Sequence, residues 1–88
     1  MKLLNNEQAY KRFGAFIRAA RERKGYTQVE VAELLGVSGS YYAYMETGQR
    51  KATLPMALNI CTILDADLND FINVSARKKA RVIERPKI

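Results

Sequence analysis

The sequence contains no histidine, and Cys61 is its only cysteine. Histidine is the commonest general base and a frequent zinc ligand, and a single thiol cannot form a disulfide within the chain. The acidic run DADLND (65–70) lacks the glycine and the final glutamate of a calcium-binding loop, and there is no glycine-rich phosphate loop. We therefore predict a protein that is not an enzyme and that holds no metal or cofactor, with Cys61 in its core.

Long apolar runs are also missing from the sequence. No apolar segment approaches the roughly 18 residues that a membrane-spanning helix needs. The first residues, MKLLNNEQAYKR, lack the apolar stretch of a signal peptide. A chain of 88 residues forms one small domain with a modest core, which leaves little room for a large catalytic cavity. These features favour a cytoplasmic protein that does not contact a membrane.

Positive charge is concentrated at one end of the chain. Residues 1–74 hold nine lysines and arginines against eight acidic residues, whereas residues 75–88 hold six against one. The net charge of +6 therefore comes almost entirely from the tail. A basic tail beside a nearly neutral body suits a polyanionic partner such as a nucleic acid, because each neutralised phosphate releases counterions. A tail that is simply solvated has the same composition.

Apolar residues recur at spacings of three and four, and capping residues precede each apolar segment. The predicted helix starts are Asn5 or Asn6, Thr27 with Glu30 in a capping box, Ser38, Leu54 or Pro55, and Ala66 or Asp67. The residues predicted to form the apolar faces are Ala9/Tyr10, Phe13, Phe16/Ile17, Ala20, Val31, Ala32, Leu35, Val37, Tyr42, Met45, Leu58, Cys61/Thr62, Leu64, Leu68, Phe71 and Ile72. No long period-two alternation demands a strand. We predict an all-α bundle of about five short helices over residues 1–74, with residues 75–88 as a basic C-terminal extension.

The segment QVEVAELLGVSGSYYAYMET (28–47) fits a helix-turn-helix pattern. Ala32 allows the two helices to approach, and Gly36 supplies a left-handed turn. The run IRxxRxxKGxTQ (17–28) leads into this unit, and Glu46 and Gly48 form an ExG at its end. With both flanking helices included, residues 10–73 resemble the DNA-binding domain of the phage lambda repressor and Cro family, often called the XRE family in bacteria. The resemblance implies a compact helical domain that binds double-stranded DNA.

In that family the second helix of the motif lies in the major groove, and its first residues contact base edges. The positions that this implies here are Gly39, Ser40, Tyr41 and Tyr44. Helical periodicity agrees with the assignment. Tyr42 and Met45 form an inward pair. Tyr41 and Tyr44 form a second pair one residue earlier in the chain, which a helix turns by about 100° away from the first pair, so it faces outward.

Gly39 departs from the family, which commonly places Gln, Arg or Lys at this position. Glycine has no side-chain donor for a bidentate base contact, which is worth about 1–3 kcal/mol of discrimination. Ser40 and the hydroxyls of Tyr41 and Tyr44 can make single hydrogen bonds, and the rings can lie against thymine methyl groups. We therefore expect weak direct readout and an A·T-leaning or shape-read site. Alternatively, the two tyrosines pack on a neighbouring loop or subunit.

Contacts to the phosphate backbone are predicted in two places. Gln28 begins the first motif helix, where amides and the helix dipole can hold a phosphate, as the resemblance also implies; it could instead be a simple capping residue. The loop residues placed to act in the same way, unless they are simply solvated, are Gln49, Arg50 and Lys51. The resemblance further implies a largely buried salt bridge between Arg21 and Glu46, the alternative being an incidental surface pair.

The tail, SARKKARVIERPKI, leaves three arrangements open. It could be a flexible arm on phosphate, a helix from Ser75 that stops at Pro86, or a strand over 81–85 that pairs with a second subunit. Because the family reads two half-sites as a two-fold dimer, the resemblance implies a homodimer. Val82 and Ile83 are candidates for its contact.

Together these patterns favour a sequence-specific transcriptional regulator, a repressor that occupies an operator in the nucleoid of a bacterial or phage system. Because no sensor domain is recognisable, we expect control by concentration, by proteolysis or by a regulatory protein partner. The alternative is a protein-interaction module of the same fold, such as an antitoxin or antirepressor partner. Steep salt dependence of binding distinguishes the DNA-binding function from this alternative.

Overall fold

The computed structural model describes residues 3–73. Its helices are α1 (Asn6–Lys24), α2 (Gln28–Leu35), α3 (Gly39–Thr47), α4 (Leu54–Leu64) and a short α5 over 68–73. This part of the chain contains no strand, so the predicted all-α class is confirmed. The predicted domain boundary after residue 74, and every prediction about the tail, fall outside the described residues. Among residues 3–73, no helix combines the length and the apolar character that crossing a bilayer requires.

Capping residues fix where the helices of the predicted motif begin. Thr27 Oγ1 accepts a hydrogen bond from the Glu30 amide at 3.1 Å, and the Glu30 carboxylate accepts one from the Thr27 amide at 2.8 Å. Ser38 Oγ accepts a hydrogen bond from the Tyr41 amide at 3.1 Å. A cap of this kind is typically worth about 1 kcal/mol. The predicted starts of α2 and α3 are therefore confirmed, and local hydrogen bonds set both.

The backbones of α1 and α3 come into direct contact at Gly14. A Cβ atom on Gly14 would lie 2.6 Å from the carbonyl oxygen of Met45 and closer still to that of Glu46. Gly48, just after α3, makes a similar approach, because a Cβ there would lie 2.8 Å from the Cα of Lys11. These two glycines allow one side of α3 to lie against α1. The other side of α3 consequently faces away from α1.

The core lies between the helices. Its buried apolar residues are Phe13, Ile17, Ala20, Val31, Ala32, Tyr42, Met45, Ala57, Ile60, Cys61 and Leu64. Phe71 of α5 packs against it, with its ring centroid 5.6 Å from that of Phe13 and 5.4 Å from that of Phe16. Ile72 was also predicted to face inward, and this is wrong. It is 53% exposed, because the neighbouring Phe71 takes the inward position.

Two predicted core residues of α4 are also wrong. Leu58 is 49% exposed and Thr62 is exposed, whereas Ala57 and Ile60 are buried. The buried positions of α4 are 57, 60, 61 and 64, which follow the spacings of three and four of a single helical face. Leu58 and Thr62 lie on the adjacent face. The sequence concealed this choice, because the inward face includes a small alanine and the outward face a leucine.

Candidate nucleic-acid interface

A tight turn between α2 and α3 places α3 at the surface. Gly36 ends α2 with a φ of +78°, a conformation that residues with a side chain rarely adopt. The amides of Gly36 and Val37 both donate to the carbonyl oxygen of Ala32, at 2.9 and 3.0 Å. This hydrogen bonding closes α2, and Ser38 then caps α3. The two helices therefore form the helix-turn-helix unit that the sequence predicted.

The outward side of α3 presents few functional groups. Ser40 is exposed and Tyr44 is 43% exposed, and their separation of four residues places them on one helical face. Tyr41 is only half-buried, with its side chain packed against the core and its hydroxyl 3.4 Å from the carbonyl oxygen of Lys51, which is a long, weak hydrogen bond. Gly39 contributes backbone alone. Of the two predicted reading tyrosines, Tyr44 is the more accessible.

On the inward side of α3, the Glu46 carboxylate is surrounded by donors from two other helices. Arg21 of α1 donates from Nε to Glu46 Oε2 at 2.6 Å and from Nη2 to Oε1 at 3.2 Å. Gln28 of α2 donates from Nε2 to Glu46 Oε1 at 2.9 Å, and Arg21 Nη1 also donates to the Tyr26 carbonyl at 2.9 Å. The side chain of Glu46 is only 2% exposed and that of Arg21 is 12% exposed. Glu46 is therefore the point at which α1, α2 and α3 are joined.

The ionisation of this cluster follows from its hydrogen bonds. Burial opposes ionisation of Glu46, but the surrounding donors, led by Arg21, outweigh it and hold the pKa of Glu46 below its ordinary value. The hydrogen bond to Glu46 raises the pKa of Arg21. Burial, followed by the closeness of the hydroxyl to the Glu46 carboxylate, raises the pKa of Tyr42. Within residues 3–73, no group lies in hydrogen-bonding geometry to this hydroxyl. At neutral pH the cluster consequently holds a charged pair beside a neutral phenol.

Gln28 contributes to this cluster from the first position of α2. The Thr27 side chain accepts a hydrogen bond from the Glu30 amide. The amides of Gln28 and Val29, also in the first turn of α2, have no acceptor within the helix. The side-chain nitrogen of Gln28 is already hydrogen-bonded to Glu46. The start of α2 therefore offers its main-chain amides to an anion, while the Gln28 side chain links α2 to α3.

The loop after α3 uses two of its main-chain donors to close that helix. The amides of Gln49 and Arg50 both donate to the carbonyl oxygen of Tyr44, at 2.9 and 3.2 Å, and so close the end of α3. The side chains of Gln49, Arg50 and Lys51 are exposed. The exposed side chains, two of which are cations, are therefore the groups that this loop can offer to a phosphate in place of those two amides.

Two features of this region were not predicted. The close approach at Gly14 had a signal in the sequence, because a glycine inside a helical pattern often marks a tight helix contact. The hydrogen bond between Gln28 and Glu46 joins residues 18 positions apart, and neither residue type predicts it.

Arg21 and Glu46, which the resemblance paired, do lie together. Within residues 3–73, no group of three His, Cys, Asp or Glu side chains could hold a metal ion.

The chain is similar to known helix-turn-helix proteins in sequence. Residues 12–71 match the family described as Helix-turn-helix domain. YazB, an uncharacterized HTH-type transcriptional regulator of Bacillus subtilis, is 41% identical over 68 residues, which cover 77% of this chain and 87% of YazB. A Thermococcus kodakarensis protein that carries the name HTH-type transcriptional regulatory protein is 34% identical over 65 residues. That match covers 74% of this chain but only 20% of the Thermococcus protein.

Two solved structures of the clp gene regulator ClgR from Corynebacterium glutamicum have the same fold. One superposes with a TM-score of 0.69 at 30% identity, covering 73% of this chain and 82% of that chain. The other superposes with a TM-score of 0.70 at 26% identity, covering 91% and 95%. The matched family segment contains the whole α2–turn–α3 unit and the Glu46 cluster. The chain therefore belongs to the helix-turn-helix family of transcriptional regulators.

Proposed function

We propose that this protein is a sequence-specific repressor that binds an operator in double-stranded DNA as a homodimer. In this proposal α3 enters the major groove, with Gly39, Ser40, Tyr41 and Tyr44 at the base edges. The start of α2 at Gln28 and the loop residues Gln49, Arg50 and Lys51 hold the phosphate backbone on either side. The observation that carries the proposal is the exposed face of α3 at Ser40 and Tyr44, with donor groups flanking it.

Two contacts place the flanking groups near the first turn of α3. The Tyr41 hydroxyl lies 3.4 Å from the Lys51 carbonyl, so the basic loop runs beside this turn. A Cβ atom on Gly39 would lie 3.8 Å from Val29 Cγ2, so the start of α2 lies beside it as well. Phosphate contacts from both segments would position α3, while the side chains of α3 read bases.

Readout by this surface rests on single hydrogen bonds and apolar contact. The exposed Ser40 hydroxyl can donate or accept at one base edge, and the Tyr44 ring can lie against a thymine methyl group. Gly39 supplies no bidentate contact. The proposed operator is therefore A·T-leaning, with part of its specificity coming from the shape and deformability of the duplex.

Selection of bound duplexes from a random pool tests the proposal directly. The expected result is an enriched site with two symmetric halves about one helical turn apart, since a two-fold dimer presents two copies of α3. Recovery of a single half-site would contradict the homodimer. Absence of any complex, even in dilute buffer, would contradict DNA binding and would favour a protein-interaction module of the same fold.

Two single variants then separate positioning from reading. Arg50→Ala should weaken binding to all duplexes alike and lower the salt slope by about one per half-site, because one phosphate contact is lost. Arg12→Ala, which removes an exposed cation from α1, is the matched control and should leave the slope unchanged. Tyr44→Ala should alter the enriched sequence. An unchanged sequence preference would show that Tyr44 does not read bases.

A further inference from the structure

Val29 stands out on the surface between the starts of α2 and α3. It is the second residue of α2, and 59% of its surface is exposed. A Cβ atom on Gly39 would lie 3.8 Å from Val29 Cγ2, which is ordinary van der Waals contact. A methyl group of Val29 therefore borders the space that a side chain at position 39 would fill.

The backbone does not require glycine at position 39. Gly25, Gly36 and Gly48 have φ values of +79°, +78° and +83°, and each ends a helix. Gly39 is not among the residues with positive φ, and within residues 3–73 the one atom beyond its own helix and its chain neighbours that comes within 4 Å of a Cβ there is Val29 Cγ2. Neither the backbone conformation nor the available space therefore requires glycine at position 39. The effect of the glycine is at the surface, because the absence of a side chain there leaves the methyl groups of Val29 uncovered.

The position of Val29 relative to the proposed DNA contacts gives those methyl groups a role. Gln28, immediately before it, begins the helix proposed to hold a phosphate, and Gly39, beside it, begins the helix proposed to enter the major groove. In the proposed complex, a side chain between these two contacts would lie near the edge of the major groove. The apolar group that a base pair presents in the major groove is the C5-methyl of thymine.

We propose that Val29 is a specificity-determining residue that contacts a thymine methyl group in each half-site, through the gap left by Gly39. This inference rests on the proposed DNA binding. It adds a reading residue from α2 to those of α3, and it shifts recognition from hydrogen bonding toward apolar contact. Exposure alone does not identify such a residue, because Leu34, also on α2, is equally exposed at 59%. The contact with Gly39 distinguishes Val29.

Replacing thymidine by deoxyuridine tests this contact, because the bases thymine and uracil differ only in the C5-methyl group. Starting from the duplex selected by the wild-type protein, each thymine of a half-site is replaced in turn and the Kd is measured. Besides any thymine that Tyr44 contacts, we expect a position at which the wild-type protein loses about fourfold in affinity, the factor for one buried methyl group. Val29→Ala should bind the thymine duplex about fourfold more weakly for each half-site, or about sixteenfold for the two-fold complex, and should no longer distinguish thymine from uracil at that position.

Leu34→Ala is the matched control, because it shortens an equally exposed apolar side chain of the same helix. It should keep the full preference for thymine. Val29→Thr retains one methyl group and should keep part of the preference. The inference is overturned if the wild-type protein is indifferent to every replacement, or if Val29→Ala keeps the full preference at each position. Failure of the proposed function has a different signature, since then no duplex would be selected at all.

Discussion

On the inward side of α3, the backbone at Met45 and Glu46 touches Gly14, and donors from two other helices hold the Glu46 carboxylate. On the outward side, Gly39 has room for a side chain and Ser40 is exposed. The inward side therefore has no room for a larger side chain at Gly14, and its buried charge is paired. The outward side has room for a side chain at Gly39 and is exposed to solvent. The comparison teaches that substitutions on the inward side should change folding, and that substitutions on the outward side should change what is bound.

Breaking the Arg21–Glu46 pair should have the largest effect. Arg21→Met leaves the Glu46 carboxylate buried without its cation, which is expected to lower the free energy of unfolding by about 3–5 kcal/mol. Urea unfolding at neutral pH measures the loss. Arg18→Met is the control, because the ion pair of Arg18 with Glu22 is exposed and should be worth about 1 kcal/mol or less.

A double variant tests whether the loss of stability comes from the unpaired charge of Glu46. Combining Arg21→Met with Glu46→Leu removes both charges, so much of the stability lost in the single variant should return. Equal losses for Arg21→Met and Arg18→Met would show that burial does not strengthen the inward pair.

Gly14→Ala should have the next largest effect. The new methyl group would meet the carbonyl groups of Met45 and Glu46, and a backbone cannot move aside as a side chain can. Overpacking of this kind costs about 1–3 kcal/mol, measurable as a lower midpoint of urea unfolding. An unchanged midpoint would mean that α1 and α3 separate easily, which would contradict the close contact described above.

Acid should weaken the inward side selectively. Because the folded pKa of Glu46 lies below its ordinary value of 4.5, the unfolded chain binds the proton more readily. The stabilisation is fully present above pH 4.5 and disappears as the pH falls through the lower folded pKa. Unfolding followed from pH 7 downward should show this loss, with a slope of at most about 1.4 kcal/mol per pH unit from this group. Glu46→Gln should flatten the curve in that range, and a curve of unchanged steepness would contradict the assignment.

Gly39→Ala should have the smallest effect on folding and is the outward counterpart of Gly14→Ala. The substitution adds a methyl group that would lie in ordinary van der Waals contact with Val29 and replaces the residue that loses most entropy on folding, so stability should rise by about 0.5 kcal/mol or less. Thermal unfolding detects the difference. A marked destabilisation would show that position 39 is constrained in the same way as position 14.

The sequence predicted the framework well, because the framework depends on local signals. Thr27 with Glu30, Ser38 and Gly36 mark helix ends through hydrogen bonds and backbone conformations that involve only neighbouring residues. Helical spacing likewise predicted Tyr42 in the core. Such patterns do not depend on how distant parts of the chain pack together.

The errors occurred where packing between distant segments decides the outcome. Leu58 is more hydrophobic than Ala57, yet α4 turns the alanine inward, and only the arrangement of the other helices determines that choice. The hydrogen bond from Gln28 to Glu46 is equally non-local. At the candidate site, the sequence suggested outward positions on α3 but could not predict that Tyr41 packs against the core while Tyr44 is more exposed.

The cluster at Glu46 also bears on how a duplex would be accommodated. It joins one residue from each of α1, α2 and α3, so the start of α2 and the end of α3 are held together, and through Arg21 to α1, before any partner binds. A protein surface held in this way behaves as a stiff template. Bending, or a change of groove width, then falls on the DNA, and we expect easily deformed base steps to be favoured even where no side chain reaches.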